Sequence, residues 1–416
     1  MTAEPDTARP PSKSISQVEL IALLGMLAAT VAFSIDAMLP SLPAIGNDLS
    51  PVDPQRSQLV IGAFVIGMGV GTLFAGPLSD AFGRRSIAAG GAIIYILGAL
   101  AGAMAETLDQ LLIARAVQGL GAAGPRIVSI ALVRDLFSGR QMARITSFVM
   151  TVFTLVPVVA PSLGAALEWA FGWRAIFLSF AVFSVASIGW LLLRQPETLP
   201  PDRRRSFRLG KLAEGLREVF SNRQVVISIC AQTLIFGMLF AALFSSQAIF
   251  DVTLGKKGSF PFWFGVMAAI SASSSILNAM FVVRFGMKNM VKWGLLIQAT
   301  LTALFLFAQM TVWSDVPPAF PVAFLWFTSV FFLAGIAIGN MNAIALEPMG
   351  HIAGMASSVI SAVFTVASVF IAAPIGQMFN GTMVPLSVGV LVLGSAAFAL
   401  VLLLEDTGGE IAEGRR

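Results

Sequence analysis

The sequence contains one cysteine, Cys230, and one histidine, His351, in 416 residues. A single cysteine excludes an intramolecular disulfide, and the two residues together are too few for a Cys/His metal site. One histidine also leaves little from which to assemble a Ser-His or Cys-His catalytic arrangement. No metal or other cofactor is expected, and the chain does not read as an enzyme. Charge is scarce as well: 12% of the residues are Asp, Glu, Lys or Arg, against about 25% in an ordinary soluble domain. Apolar residues take their place, at 57% of the chain with a mean hydropathy of +0.86. Lipid is the natural solvent of such a chain. The pI near 9.6 does not indicate nucleic acid, because the basic residues are spread over short loops between apolar runs, which is a topology signal.

Residues 1–17 are polar, with Pro5, Pro10 and Pro11, and read as a disordered tail. The apolar stretch that follows is too long for a signal-peptide core and precedes no small-residue cleavage site. A crossing helix needs about 20 mostly apolar residues. Twelve such runs are expected, near 18–40, 57–77, 86–105, 110–132, 145–167, 173–193, 224–248, 261–283, 290–310, 318–342, 355–377 and 385–404. With the N-terminus inside, 20 of the 26 Lys and Arg fall in cytoplasmic segments and 4 in external loops. That bias predicts an even number of crossings and two cytoplasmic termini. The long hydrophilic stretch 194–223, with Arg203, Arg204, Arg205, Arg208, Lys211, Arg217 and Arg223, reads as a basic cytoplasmic linker. It separates a six-helix bundle over 18–193 from a second over 224–404, and residues 405–416 form a cytoplasmic tail. An internal repeat supports the division: Phe82-Gly83-Arg84 follows the second run, and Phe285-Gly286-Met287-Lys288 the eighth. Six-helix repeats are common in secondary transporters, with the site between them.

Two charges interrupt the apolar runs. Asp36 lies in Ser34-Ile35-Asp36-Ala37-Met38-Leu39-Pro40, and Arg115 in Leu112-Ile113-Ala114-Arg115-Ala116. A charge at the centre of a membrane helix costs about 2.5–3.5 kcal/mol on insertion scales, so each marks a functional candidate. Together they suggest a protonation switch. Arg115 could also snorkel to the outer interface. Arg126, about three turns further along the same helix, could bind substrate, pair with Asp36 in one state or pack against the loops.

Several strings resemble the major facilitator superfamily. Gly76-Pro77-Leu78-Ser79-Asp80-Ala81-Phe82-Gly83-Arg84-Arg85 is similar to its loop signature G-x-x-x-D-x-x-G-R-R/K, with Ala81 where a basic residue is usual. The resemblance implies a conformational latch built from Gly76, Asp80, Gly83, Arg84 and Arg85, the Asp facing the start of the eleventh helix near Gly354. An ordinary tight turn is the minor alternative. Arg115-Ala116-Val117-Gln118-Gly119 resembles the R-x-x-Q-G motif and implies that Arg115 takes part in proton coupling with Asp36. Pro157-Val158-Val159-Ala160-Pro161-Ser162-Leu163-Gly164 resembles the fifth-helix signature of antiporters, with Ala160 replacing a Gly. It implies a bend at Pro157, Pro161 and Gly164. Asp36-Ala37-Met38-Leu39-Pro40-Ser41-Leu42-Pro43 looks like the D-x-x-L-P-x-x-P of the bicyclomycin and chloramphenicol resistance (Bcr/CflA) branch. Val133-Arg134-Asp135-Leu136-Phe137-Ser138-Gly139-Arg140 and Gly172-Trp173-Arg174 support that branch.

The expected fold is therefore all-α, with 12 transmembrane helices in two pseudo-symmetric bundles. The expected function is proton-coupled efflux of small drug-like molecules from a bacterial inner membrane by a protein that is monomeric by default. Its partners are a small-molecule substrate, protons and the bilayer, and not nucleic acid. Candidate substrate contacts are Arg126, Phe33, Tyr95, Gln118, Phe236, Phe240 and Phe244. A proton-coupled transporter of a small metabolite is the main alternative, and a receptor or intramembrane enzyme a distant one.

Overall fold

The computed structural model describes residues 15–204 and 207–405. Most of the tails expected over 1–17 and 405–416 lies outside the described residues, as do Arg205 and Ser206 in the linker. Among the described residues there are fourteen α-helices and no strand. The first seven are α1 (Gln17–Asp36), α2 (Leu42–Leu49), α3 (Leu59–Phe82), α4 (Arg84–Ala103), α5 (Leu108–Leu136), α6 (Gly139–Phe171) and α7 (Arg174–Arg194). The remaining seven are α8 (Leu209–Ser221), α9 (Arg223–Ala248), α10 (Phe260–Phe285), α11 (Met287–Thr311), α12 (Phe320–Leu346), α13 (Ala353–Gln377) and α14 (Val384–Leu402). Eleven stretches of the described residues are long and apolar enough to cross a membrane. One of them, Phe320–Gln377, is 58 residues long and contains both α12 and α13, joined by a 3-10 segment at Glu347–Ile352.

Local chemistry explains the boundaries. The first helix ends at Asp36 and not at residue 40 as the apolar run suggests. Pro40 has no N–H to return to the Asp36 carbonyl, so the α-helical ladder stops there and a 3-10 turn, Leu39–Ser41, follows. Thr107 caps α5 by accepting from Gln110 N. Gly83 and Gly286 close α3 and α10 with φ of +96° and +80°, a region that favours glycine. They occupy matching places in the two halves. The linker contains a helix that its polarity concealed: α8 turns Leu212, Leu216 and Val219 toward α13 and α9.

The second half repeats the neighbour pattern of the first. In the first, α1 packs on α5, α6 and α7, while α5 packs on α3 and α4, and α4 on α7. In the second, α9 packs on α12, α13 and α14, while α12 packs on α10 and α11, and α11 on α14. The contacts between halves match in the same way, α3 with α13 and α6 with α10. Ile93, Leu97, Ile113, Val182, Leu304 and Phe307 are exposed around the outside. Such a surface is stable in hydrocarbon and a liability in water.

The α3–α5 seam is unusually close. A Cβ on Gly67 would sit 1.9 Å from the Ala116 carbonyl oxygen, and one on Gly119 1.9 Å from that of Phe64. Small residues allow this approach, and packing, not hydrophobicity, drives association of helices in lipid. Gly67→Ala and Gly119→Ala are each expected to lose about 1–3 kcal/mol through overpacking. Gly90→Ala, whose Cβ would meet nothing within 4 Å, serves as the neutral control. Thermal melting of the purified protein in detergent reads the difference.

Candidate functional site

Arg115 lies on α5 and is completely buried. Its guanidinium donates to the Val60 carbonyl of α3 at 3.2 Å, to the Ser34 carbonyl of α1 at 2.9 Å and to Gln118 Oε1 at 2.7 Å. It lies 4.4 Å from the Phe64 ring centroid and 5.9 Å from those of Phe177 and Phe180 on α7. Carbonyl oxygens and aromatic faces thus replace the water a cation would otherwise hold. Arg115 does not snorkel to an interface. Beside it, the Ser34 and Tyr95 hydroxyls lie 2.5 Å apart, and Ser34 Oγ donates to the Thr30 carbonyl at 2.6 Å. The candidate residues Arg115, Gln118 and Tyr95 therefore form one buried polar cluster with the chain just before Asp36.

Asp36 ends α1 and is 7% exposed. Its carboxylate has no hydrogen-bond or ion-pair partner among the described residues. Gly164 of α6 packs directly on the next residue: a Cβ there would sit 1.9 Å from the Ala37 carbonyl oxygen. Pro157 and Pro161 stand inside the same helix, which is 33 residues long. The proline-bearing helix thus touches the acid-bearing one, and its Val158 carbonyl faces Gly265 of α10 in the other half. Arg126 is partly buried on α5, and its side chain has no partner among the described residues.

The aromatic candidates separate. Phe33 packs edge-on against Phe180, with centroids 5.2 Å apart, inside the first half. Phe236 lies 4.5 Å from Phe364, while Phe240 stacks on Phe244 at 6.0 Å. Of these residues, Phe244 lines a cavity of about 370 Å³ between the halves.

The loop signature forms a charged clamp at one end of the bundle. Arg84 donates to Asp80 at 2.6 Å, to Ser79 at 3.0 Å and to Asp135 of α5 at 2.9 Å. Arg85 reaches the Leu192 carbonyl at 2.6 Å. Asp80 makes no bond to α13, although Asp80 and Gly354 line the same cavity of about 640 Å³. At the opposite end, Asp48 accepts from Arg174 at 2.8 Å and from Trp173 Nε1 at 3.1 Å, which gives the Gly-Trp-Arg string a fastening role.

Several polar residues escaped the sequence reading. Glu168 of α6 accepts from Ser41 at 2.6 Å, and Asp251 from Gln247 at 2.7 Å. Both acids fall just past an apolar run, at the ends where the runs expected over 145–167 and 224–248 were closed. An acid one to three residues beyond such a run was the available signal. Glu197, beyond α7, accepts from the Arg84 and Arg85 backbone N–H groups at 3.0 Å each, capping α4. Burial alone would raise its carboxyl. The N–H groups of Leu199, Arg84 and Arg85 and the Arg204 charge hold it below the ordinary carboxylate range instead. That contribution to stability is complete above the unfolded value of about 4.3 and fades as pH falls through the lower folded value. Glu197→Ala should cost about 1 kcal/mol near neutrality, as helix caps do. Melts of the two proteins should converge as the pH is taken below about 4.

The family model of the Major Facilitator Superfamily matches residues 24–373. The bicyclomycin resistance protein homolog of Haemophilus influenzae is 30% identical over 375 residues, covering 88% of this chain and 91% of that one. The multidrug resistance protein MdtL of Escherichia coli is 28% identical over 325 residues, covering 78% and 80%. Among solved structures, a D-xylose–proton symporter superposes with a TM-score of 0.73 at 16% identity, covering 94% of this chain and 98% of that one. The human organic anion transporter MFSD10 superposes with a TM-score of 0.64 at 18% identity, covering 95% and 99%. At those identities the superpositions speak for the fold.

Proposed function

The chain belongs to the Major Facilitator Superfamily, matched over residues 24–373, and from that premise we propose that it exports small drug-like molecules in exchange for protons. It is a multi-pass membrane transporter with relatives named for drug resistance. The observation that carries this proposal is Asp36: a carboxylate buried in the first half, without a partner among the described residues, two residues beyond the Ser34 carbonyl held by Arg115. A proton bound there cancels a charge that costs about 2.5–3.5 kcal/mol at membrane depth. In this reading drug leaves on the external side as Asp36 takes a proton. The neutral site lets the two halves rock inward, and drug then binds as the proton is released to the cytoplasm. Differential affinity of the two ligands for the two states makes the exchange. One proton crossing 100 mV supplies about 2.3 kcal/mol, enough for roughly fiftyfold accumulation.

The remaining assignments follow. Arg115 sets the electrostatics around Asp36, and Arg126, whose side chain has no partner among the described residues, contacts substrate. The clamp at Asp80, Arg84 and Asp135 closes the cytoplasmic side, where the basic linker and both termini lie. Phe320–Gln377 counts as two crossings, which gives twelve, and a monomer acts in the bacterial inner membrane.

Proteoliposomes holding a pH-sensitive dye test the reading. Chloramphenicol, florfenicol or ethidium should trigger proton flux with the natural chain and none with Asp36→Asn. Flux that persists in Asp36→Asn moves the proton site elsewhere. Gradient-driven uptake of a metabolite without flux for any drug replaces the export reading.

A further inference from the structure

The cavity between the halves at the end opposite the Arg84 clamp has a polar side that nothing in the exchange cycle uses. Its volume is about 370 Å³, and its walls include Pro43, Gln58, Phe244, Gln247, Asp251 and Lys257. Asp251 sits in a π-helical turn, Ile249–Thr253, at the end of α9, the kind of local irregularity often found at functional sites. Gln247 Nε2 donates to Asp251 Oδ2 at 2.7 Å. This bond fixes the orientation of the amide and leaves Gln247 Oε1 and Asp251 Oδ1 buried without a partner. Gln58, on the facing segment from the first half, also has a buried carbonyl oxygen without a partner. Gln58 and Gln247 are only 4% and 5% exposed. Buried polar atoms are nearly always satisfied, so a group of acceptors without donors calls for a ligand that donates.

The charges agree. Glu168 lies close enough to Asp251 and Lys257 to interact with both, and Lys257 also interacts with Asp251; among the described residues neither acid forms an ion pair with the lysine. The lysine is exposed. The cavity wall therefore combines Asp251, an acid that interacts with Lys257 without an ion pair among the described residues, with the apolar surface of Phe244 and Pro43. We propose that it is a binding site for the ammonium head of an amphiphilic cation. The head lies against the Asp251 carboxylate and the Gln58 and Gln247 side chains, and the apolar body lies against Phe244. As an exit station for exported compounds the site rests on the export reading; as a binding site it does not.

The test uses two probes that differ only in the amine: monodansylcadaverine and its neutral counterpart, N-pentyl dansylamide. Fluorescence titration of the purified full-length protein in detergent should show saturable binding of the amine alone. Asp251→Asn should weaken it by about tenfold or more, as loss of a buried charge partner does. Lys257→Gln, an exposed change that removes a competing positive charge, should tighten it by up to about threefold and keeps the test decisive if Asp251→Asn does not fold. Absence of saturable binding, equal binding of both probes, or indifference to the folded variants overturns the proposal. Amine binding that depends on Asp251 in a protein without drug-driven proton flux retains the site and rejects the export reading. Flux without such binding does the reverse.

Discussion

A cation held inside a membrane protein must find its solvation in the protein, and Arg115 governs much of the first half for that reason. Its donors reach a carbonyl on α1, a carbonyl on α3 and a side chain of its own helix, while rings from α3 and α7 cover its face. Oxygens of the backbone are within reach only if the helices approach closely. The glycines at the α3–α5 contact permit that approach, and the Ser34–Tyr95 pair extends the same polar interior toward α4. Fold and chemistry are one arrangement here: the contacts that solvate the guanidinium also fix the register of three helices.

Against that fixed positive charge, Asp36 has no partner among the described residues. It stands where Pro40 ends the α-helical ladder, on a chain segment pressed by Gly164 of a proline-bearing helix that also touches the other half. A group without partners can change its ionisation without breaking a bond. A group with three bonds, such as Arg115, cannot move without several breaking together. The division between a rigid charge and an adjustable one suits a coupling site, and the two ends of the molecule add separate polar clusters of their own.

Much of this was legible in the sequence because lipid makes charge conspicuous. Asp36 and Arg115 stood out from their apolar neighbours, and the Phe-Gly repeat after α3 and α10 marked the internal symmetry that the neighbour pattern displays. What stayed hidden depends on partners distant in the chain. Nothing near Glu197 announces that it caps α4, and nothing near Gly67 names the Ala116 carbonyl it admits. The signature loop indicated Asp80 and Arg84, while Asp135 completes the clamp from the same half, and a cavity lies toward α13. Asp251 and Glu168 were passed over because hydropathy closes a helix where polarity rises, and that is where a polar end begins.

The α3–α5 contact also determines where the molecule can yield. Backbone set against backbone offers no rotamers through which to slide, so these two helices act as a single beam. The α3–α13 contact is made of softer material, with Gly62 and Gly69 facing the branched tips of Val369 and Val366. Side-chain tips can exchange one staggered position for another at small expense. Along the boundary between the halves, the α3–α13 contact thus offers a compliance that the α3–α5 contact lacks, whereas Val158 and Gly265 repeat the backbone approach between α6 and α10.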